Sequence, residues 1–221
     1  MKTILKRVIG MMGAACLLLV ALASPMSAQV PFHVVFNTSV GSGPVRVAFD
    51  GANVWVANRF ANTVTKIRTS DGSAAPAYPV GNQPDGAAFD GSSIWVANRN
   101  DNTVTKLRVV DGAPQGTFAV GALPQPMAFD GTSMWVGNVG DTTVTKLRAS
   151  DGANMGTFEV GPTPYDLVFD GANIWVAVWG ANSVVELDQS GHQLATFAVG
   201  THPQALTFDG LDIWVANAGD N

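Results

Sequence analysis

Hydrophobic and polar residues alternate in short runs along most of the chain, and these runs recur with a fixed period. The sequence Phe-Asp-Gly, two variable residues, an aliphatic residue and Trp-Val begins at Phe49, Phe89, Phe129, Phe169 and Phe208. The successive starts are 40, 40, 40 and 39 residues apart. Such a period indicates one supersecondary unit that buries its apolar faces only against neighbouring copies.

Each unit contains four apolar segments separated by turn residues. In order they read Pro-x-x-x-Ala-Phe, Ile-Trp-Val-Ala-Asn, Thr-Val-Thr-Lys-Leu-Arg and Gly-Thr-Phe-x-Val. These segments are rich in Val, Ile, Thr, Trp and Phe, as strands are, and Asp-Gly pairs lie between them. Because Gly accepts a positive φ and Asp bonds to the nearby backbone, the pairs predict hairpin turns. Four antiparallel strands per unit follow.

The faces of each predicted sheet decide how the units are arranged. Val54 and Val56 lie on one face of the second strand, and Trp55 and Ala57 lie on the other. With both faces apolar, a sheet must lie between two copies of itself, and radial repetition around a channel achieves this. We therefore predict an all-β fold, a β-propeller of four-stranded antiparallel blades. A β-solenoid is the alternative, but it has shorter coils and few tight hairpins.

The ends of the chain fall inside a unit. Asn221 aligns with Asn62, Asn102 and Asn182, just before a third strand, and residues 36–41 align with the outermost strand of a unit. We therefore expect an incomplete ring, with four full blades and partial blades at both ends. The interpretation is a C-terminally truncated piece of a six- or seven-bladed ring. A five-bladed ring with a defect is the alternative.

The first 28 residues have the layout of a secretory signal peptide. Three basic residues precede an apolar run over residues 8–23, and Ser27 and Ala28 form a small-residue exit. We expect cleavage after Ala28, a propeller made of residues 29–221, and a secreted or periplasmic protein with no membrane span after processing. An uncleaved membrane anchor is the alternative. Cys16, the one cysteine, lies in this segment, so we expect no disulfide.

Charge narrows the class of partner. The formal charge is −5, but residues 29–221 carry 9 basic and 17 acidic residues, which gives −8. Such a surface repels phosphate backbones, so we expect no nucleic-acid partner. A basic stripe follows the third strands, and we interpret it as a solvated outer face, with an acidic partner as the alternative. The stripe consists of Lys66, Lys106, Lys146, Arg68, Arg108 and Arg148.

Trp-Val-Ala-Asn followed by Asn-Thr-Val-Thr-Lys-Leu resembles the YVTN-type propeller repeat, related to NHL repeats and to streptogramin-lyase-like propellers. The resemblance covers residues 36–221 and implies an exported propeller of unspecified ligand. Lyases of this kind use His and Glu beside Mg²⁺, whereas this chain offers only Glu159 and Glu186 and no Glu-x-His pair. Lactonase propellers hold Ca²⁺ in the channel, and the resemblance makes Asp85 and Asp166 candidates there.

Strand order sorts the loops onto two rims. The Asp-Gly turns lie on one, and the blade connections and second-to-third-strand loops lie on the other, which we call the mouth rim. Residues vary between units chiefly on the mouth rim, which is the usual ligand site of such a fold, although drift of surface loops is the alternative. Trp179 is either a stacking surface for a ligand or an aromatic cap on a blade. The candidate ligand-binding residues are Arg46, Arg59, Asp85, Arg99, Gln125, Tyr165, Asp166, Trp179, His202 and Gln204.

The predicted function is therefore that of an exported, non-catalytic binding scaffold. Its ligand would be a protein, a glycan or a small molecule at the mouth rim, with no cofactor and no catalytic or metal-binding residue assigned. The competing hypothesis is a metal-dependent lyase or lactonase that uses Ca²⁺ or Mg²⁺. Its site would be completed by residues beyond position 221.

Overall fold

The computed structural model describes residues 8–10 and 38–220. Their strands are β1 (Val8–Gly10), β2 (Pro44–Phe49), β3 (Asn53–Asn58), β4 (Thr63–Arg68), β5 (Tyr78–Pro79), β6 (Pro84–Phe89), β7 (Ser93–Asn98), β8 (Thr103–Arg108), β9 (Pro114–Ala119), β10 (Pro124–Phe129), β11 (Ser133–Asn138), β12 (Thr143–Arg148), β13 (Asn154–Glu159), β14 (Pro164–Phe169), β15 (Ile174–Val178), β16 (Ser183–Leu187), β17 (Gln193–Ala198), β18 (Pro203–Phe208) and β19 (Ile213–Asn217). One 3₁₀ turn, Trp179–Ala181, lies between β15 and β16. No helix among the described residues is long and apolar enough to cross a membrane.

The strands form four antiparallel sheets in chain order, which confirms the predicted blades. Blade 1 is β2 to β5, blade 2 is β6 to β9, blade 3 is β10 to β13, and blade 4 is β14 to β17. The fifth unit is the β18–β19 hairpin, and β1 pairs in parallel with β19. Each inner strand packs on the inner strand of the next blade, and the described residues do not close the ring. The predicted signal peptide lies outside the described residues, apart from β1.

The start of each second strand is held by the Asp of the Phe-Asp-Gly motif. In blade 2, Asp90 accepts hydrogen bonds from the backbone N–H groups of Ser92 and Ser93, at 2.8 and 2.7 Å. Its other oxygen accepts the indole N–H of Trp95 at 2.7 Å. Gly91 has a φ of 95°, a left-handed conformation that glycine adopts without steric cost. The motif therefore makes the hairpin turn and also orients the buried tryptophan.

These bonds lower the pKa of Asp50, Asp90, Asp130 and Asp209. Burial by itself raises the pKa of Asp90, but the N–H groups of Trp95, Ser92 and Ser93 outweigh it and hold this pKa below its usual value. The balance is the same for Asp50 and Asp130. At Asp209, donation from the Asp212 and Leu211 backbones and from Trp214 likewise lowers the pKa. The folded state thus favours the carboxylate form.

We expect the free energy of unfolding to fall in acid. A carboxyl with a lowered folded pKa stabilises the fold fully above its unfolded pKa of about 3.9, and the effect disappears as pH falls through the lower folded value. Urea denaturation at steps from pH 7 to pH 2 measures this, with the decline beginning near pH 4. Asp90→Asn removes one titrating group and should flatten the decline. Equal stability at pH 6 and pH 3 would contradict the assignment.

The hydrophobic core lies between blades rather than inside each blade. Trp95 is fully buried, and its ring centroid is 5.6 Å from that of Phe118 on the outer strand of the same blade. The same tryptophan–aromatic pair recurs in the other three blades. Between blades 1 and 2 the core contains Ala48, Trp55, Val64, Ile94, Val96 and Leu107. This confirms that neighbouring sheets bury each other's faces.

The interpretation of the lysines as part of a solvated stripe is wrong. Lys106 is only 6% exposed, and its Nζ donates to the carbonyl oxygen of Ala149 in the next blade at 2.6 Å. The same Nζ lies 5.0 Å from the ring centroid of Trp95 and 3.8 Å from Asp90. We call this arrangement the lysine clasp. Lys66 and Lys146, which are half-buried, make the same contacts with a carbonyl oxygen, of Val109 and Gln189, and with the tryptophan ring of their own blade.

The arginines of the stripe do lie in solvent. Each is exposed and pairs with the Asp three residues later, at 2.6 to 3.0 Å. The lysine and the arginine of each strand point to the same face, because they are two positions apart. The lysine differs because it pairs across the sheet with the buried tryptophan, whereas the arginine ends the strand. The pairs are Arg68–Asp71, Arg108–Asp111 and Arg148–Asp151.

The expected outer strand at residues 36–41 is absent from its described part, Thr38–Gly41. Thr38 nevertheless donates its hydroxyl to the carbonyl oxygen of Gly72 at 2.7 Å. One unit later, Tyr78 of β5 lies against Gly112 in the same way. Thr38 thus occupies the place of an outer strand, but no described strand lies beside it to share a hydrogen-bond ladder.

Blade 1 exposes the face that the other blades bury. Val47 is 66% exposed, whereas Leu167, at the same position in blade 4, is 6% exposed. Phe49 is exposed as well, although Phe89 in blade 2 is partly buried. This face has the composition of an interblade surface.

Candidate functional site

The mouth rim is a connected structure in which each loop is tied to a blade connection. The N–H of Arg59 donates to the carbonyl oxygen of Gly43 at 2.7 Å, and the N–H of Arg99 donates to that of Gln83 at 3.0 Å. Trp179 makes the same bond with Thr163 in blade 4. These bonds join the two kinds of loop on one rim, as strand order predicted.

In four of the blade connections on this rim, a non-glycine residue has left-handed backbone. Gln83, Leu123, Thr163 and His202 have φ values of 50° to 58°, and each precedes the recurrent proline of its unit. Gly43 holds this position in blade 1, with a φ of 66°. For non-glycine residues the conformation costs about 1–3 kcal/mol, and backbone strain of this kind gathers at functional sites. Of these four residues, only His202 was predicted from the sequence as a site residue. The other three could have been found because they align with Gly43, and a glycine at a repeated position indicates left-handed backbone.

The strained backbone is held from the preceding blade. The N–H of Gln83 donates to the side-chain oxygen of Asn62 at 2.9 Å. Leu123 and His202 make the equivalent bonds with Asn102 and Asn182, at 3.0 and 2.9 Å. Blades 1, 2 and 4 therefore each fix the rim of the unit that follows.

We expect Thr163→Gly to raise the free energy of unfolding by about 1 kcal/mol, because a β-branched residue is disfavoured in the left-handed region and glycine is not. Chemical denaturation monitored by tryptophan fluorescence measures the change. Thr201→Gly is the matched control, since Thr201 lies in the equivalent connection without a positive φ. That control should lose stability. A loss of stability in Thr163→Gly would show that contacts of its side chain outweigh the backbone strain.

An aspartate between two arginines joins blades 1 and 2 at the rim. The side chain of Asp85 is 3% exposed, and one of its oxygens accepts a hydrogen bond from the Arg59 guanidinium. Arg99 Nε lies 3.6 Å from the other oxygen. The two arginine side chains are 33% and 32% exposed, so both reach solvent beside a buried carboxylate. Three of the predicted site residues are therefore brought together.

A second carboxylate, Asp166, lies on the innermost strand of blade 4. Asp166 accepts backbone N–H groups from Leu206 at 2.7 Å and from Leu167 at 3.0 Å. Burial raises the pKa of Asp166, and these N–H groups together with the charge of Arg46 offset only part of the increase. Arg46 itself is exposed. A carboxyl of raised pKa near a channel mouth is able to take part in binding or proton transfer.

An aromatic stack spans blade 4 and the fifth unit. The rings of Trp179 and His202 are 4.0 Å apart and inclined by 10°. Trp179 begins the 3₁₀ turn after β15, and both side chains are half-buried. The stack fixes the orientation of the indole and leaves part of it open to solvent.

The remaining predicted site residues stand apart. Gln125 is buried, Tyr165 is half-buried and Gln204 is exposed, and none has a side-chain hydrogen bond within the described part of the chain. Two shallow depressions, of about 310 and 380 Å³, lie along the outer strands instead. In residues 38–220 no three His, Cys, Asp or Glu side chains gather as metal ligands.

Comparison with known proteins reveals the same fold. A protein of unknown function from Desulfotomaculum acetoxidans superposes with a TM-score of 0.73 at 16% identity, covering 81% of this chain and 64% of that one. A catalytically inactive virginiamycin B lyase of Staphylococcus aureus, determined with quinupristin, gives 0.71 at 20% identity, covering 82% and 65%. The hydrazine synthase of Kuenenia stuttgartiensis gives 0.68 at 18% identity, covering 81% and 54%.

The fold is a β-propeller similar to that of the streptogramin B and virginiamycin B lyases. The chain spans about half to two thirds of the length of these structures. No family model matches the sequence, and neither does any curated protein.

Proposed function

We propose that this streptogramin-lyase-like propeller is a non-catalytic binding protein whose ligand lies on the mouth rim. The ligand is a protein, a glycan or a small molecule, and no cofactor takes part. The observation that carries the proposal is that residues repeated from unit to unit lie at the interfaces between blades, whereas residues that differ between units lie on the mouth rim. Motif aspartates and tryptophans recur in every unit, and the clasp lysines recur in blades 1 to 3, whereas the mouth rim has different side chains in each unit.

Two features of the rim support a binding role. Gln83, Leu123 and Thr163 have left-handed backbone although they are not glycines. Blade 1 has Gly43 at the same position, so a glycine without strain fits there. The rim also holds a fixed aromatic surface at Trp179. Rigid aromatic side chains on a fixed scaffold are common anchors for ligands.

A thermal-shift screen of small metabolites and glycans tests the proposal, with each hit measured again by calorimetry. We expect the dissociation constant of a true ligand to rise about tenfold in Trp179→Ala, the size typical of a binding anchor. Leu211→Ala is the control, since Leu211 is 78% exposed in a turn on the opposite rim. Hits that bind Trp179→Ala as well as wild type, or that weaken with Leu211→Ala, would overturn the proposal.

A metal-dependent lyase or lactonase is the second candidate. The raised pKa of Asp166 favours it, as does the likeness to a virginiamycin B lyase. Calorimetric titration with Mg²⁺ and with Ca²⁺, followed by mass spectrometry of screened hits, separates the two functions. Saturable metal binding that Asp166→Asn abolishes, together with a product of changed mass, would favour the enzyme.

The proposed site of action is outside the cytoplasm, on the basis of the signal-like residues 1–28. We expect the protein expressed from its own start codon to appear in the periplasmic or culture fraction with Gln29 as its first residue. Mass spectrometry of the purified chain measures this. Leu18→Arg interrupts the apolar run and should keep the full-length chain in the cytoplasm. An unprocessed wild-type chain in the cytoplasm would contradict the proposal.

A further inference from the structure

Most basic residues of the propeller make a structural contact that is repeated from blade to blade. Nine lysines and arginines lie in residues 29–221. Three lysines form the clasps between blades, and three arginines pair with the Asp three residues later. Only Arg46, Arg59 and Arg99 remain, and all three belong to the mouth rim. The basic residues that have no repeated structural contact therefore all lie on the mouth rim, although the propeller as a whole is acidic.

Arg59 and Arg99 are held in place but are not saturated. Asp85 engages one terminal nitrogen of Arg59 and approaches Arg99 Nε to 3.6 Å. Arg59 Nε is buried and has no acceptor among the described residues. A guanidinium carries five N–H donors, so a single carboxylate cannot satisfy both groups. Donors of both arginines are therefore left for a ligand.

We propose that Arg59 and Arg99, positioned by Asp85, bind an oxyanion group of the ligand, either a carboxylate or a phosphate. The inference rests on the proposed binding function and names the chemistry of one part of its ligand. Planar guanidinium groups match both kinds of oxyanion with paired hydrogen bonds. The cluster carries one net positive charge from two arginines and one aspartate, which attracts an anion although residues 29–221 together carry a net charge of −8.

The test uses inorganic phosphate and citrate as probes, at constant ionic strength adjusted with chloride. Two-dimensional NMR of the arginine Nε–Hε groups and calorimetry follow binding to the full chain. We expect saturable shifts at Arg59 and Arg99, and about a tenfold weaker affinity in Arg99→Gln, the loss expected for one charge-assisted hydrogen bond. Arg108→Gln, which alters an exposed arginine outside the cluster, should bind both probes as wild type does.

Asp85→Asn tests the same site by a gain of affinity. Asparagine keeps a side-chain oxygen that holds the arginines in place, but it removes the negative charge that competes for them, so phosphate or citrate binding should tighten by about fivefold or more. Binding of phosphate alone or citrate alone would identify the kind of oxyanion and would support the proposal.

Non-saturable shifts that chloride reproduces would overturn the inference and leave Arg59–Asp85–Arg99 as an ion pair between blades. So would equal weakening in Arg99→Gln and Arg108→Gln, or unchanged affinity in Asp85→Asn. The wider binding function has a separate readout. Screened ligands that depend on Trp179 would still support it if both oxyanion probes failed.

Discussion

Replacing Trp135 with alanine is expected to lower the free energy of unfolding by roughly 3–5 kcal/mol, the range for removing a large buried aromatic side chain. Trp135 is fully buried, and its ring centroid is 5.6 Å from that of Phe158. The substitution also leaves Asp130 without the indole N–H that its carboxylate accepts at 2.7 Å. Both the cavity and the lost hydrogen bond act on the same interface.

Equilibrium denaturation by guanidinium chloride measures this loss, with Trp214→Ala as the matched control. Trp214 holds the same position in the fifth unit and bonds to Asp209 at 2.7 Å, but it is only half-buried. The control should therefore lose less than half as much stability. Trp135→Phe separates the two contributions, because it keeps most of the apolar surface and removes the N–H. Equal losses in Trp135→Ala and Trp214→Ala would contradict interblade burial as the source of stability.

The second large effect is expected for Lys106→Met. The methionine keeps an unbranched apolar stem but removes the ammonium group, which leaves the carbonyl oxygen of Ala149 without its donor and Asp90 without its nearby cation. Breaking a buried charged contact from one side costs about 3 kcal/mol. We expect a loss of that size in urea denaturation.

Arg108→Met is the control for the lysine clasp. Arg108 lies two residues further along β8 and pairs with Asp111 at 2.6 Å in an exposed position. Water and salt screen an exposed pair of this kind, so the control should change stability little. If the two variants lost the same stability, the clasp would be no more important than a surface ion pair.

The sequence could predict the fold because the repeat multiplies a weak signal. A single segment such as Ser93–Asn98 fits a strand or part of a buried helix, but its recurrence at intervals of 40 residues between Asp-Gly turns leaves only stacked sheets. The lysine clasp could not be predicted in this way. Lys106 bonds to a backbone carbonyl 43 residues away, and a backbone acceptor has no signature in the sequence.

The mouth rim could be predicted from strand order, but its contacts could not. Arg59 and Asp85 are 26 residues apart on different blades, so their pairing depends on how the two sheets pack. The left-handed backbone of Thr163 could not be predicted from the local sequence, because a residue before proline favours extended backbone. Side chains of the preceding blade override that preference at Gln83 and His202.

The lysine clasp has a consequence for how such chains evolve. Lys66, Lys106 and Lys146 each reach 43 residues forward to a backbone oxygen that any amino acid supplies. Among blades 1 to 3, a gene segment of one period, 40 codons here, is therefore interchangeable with its neighbour at this contact, whereas blade 4 has Glu186 in place of the lysine. Unequal recombination between copies would lengthen or shorten the array by whole blades and create no new interface, while point mutation diversifies the mouth rim independently.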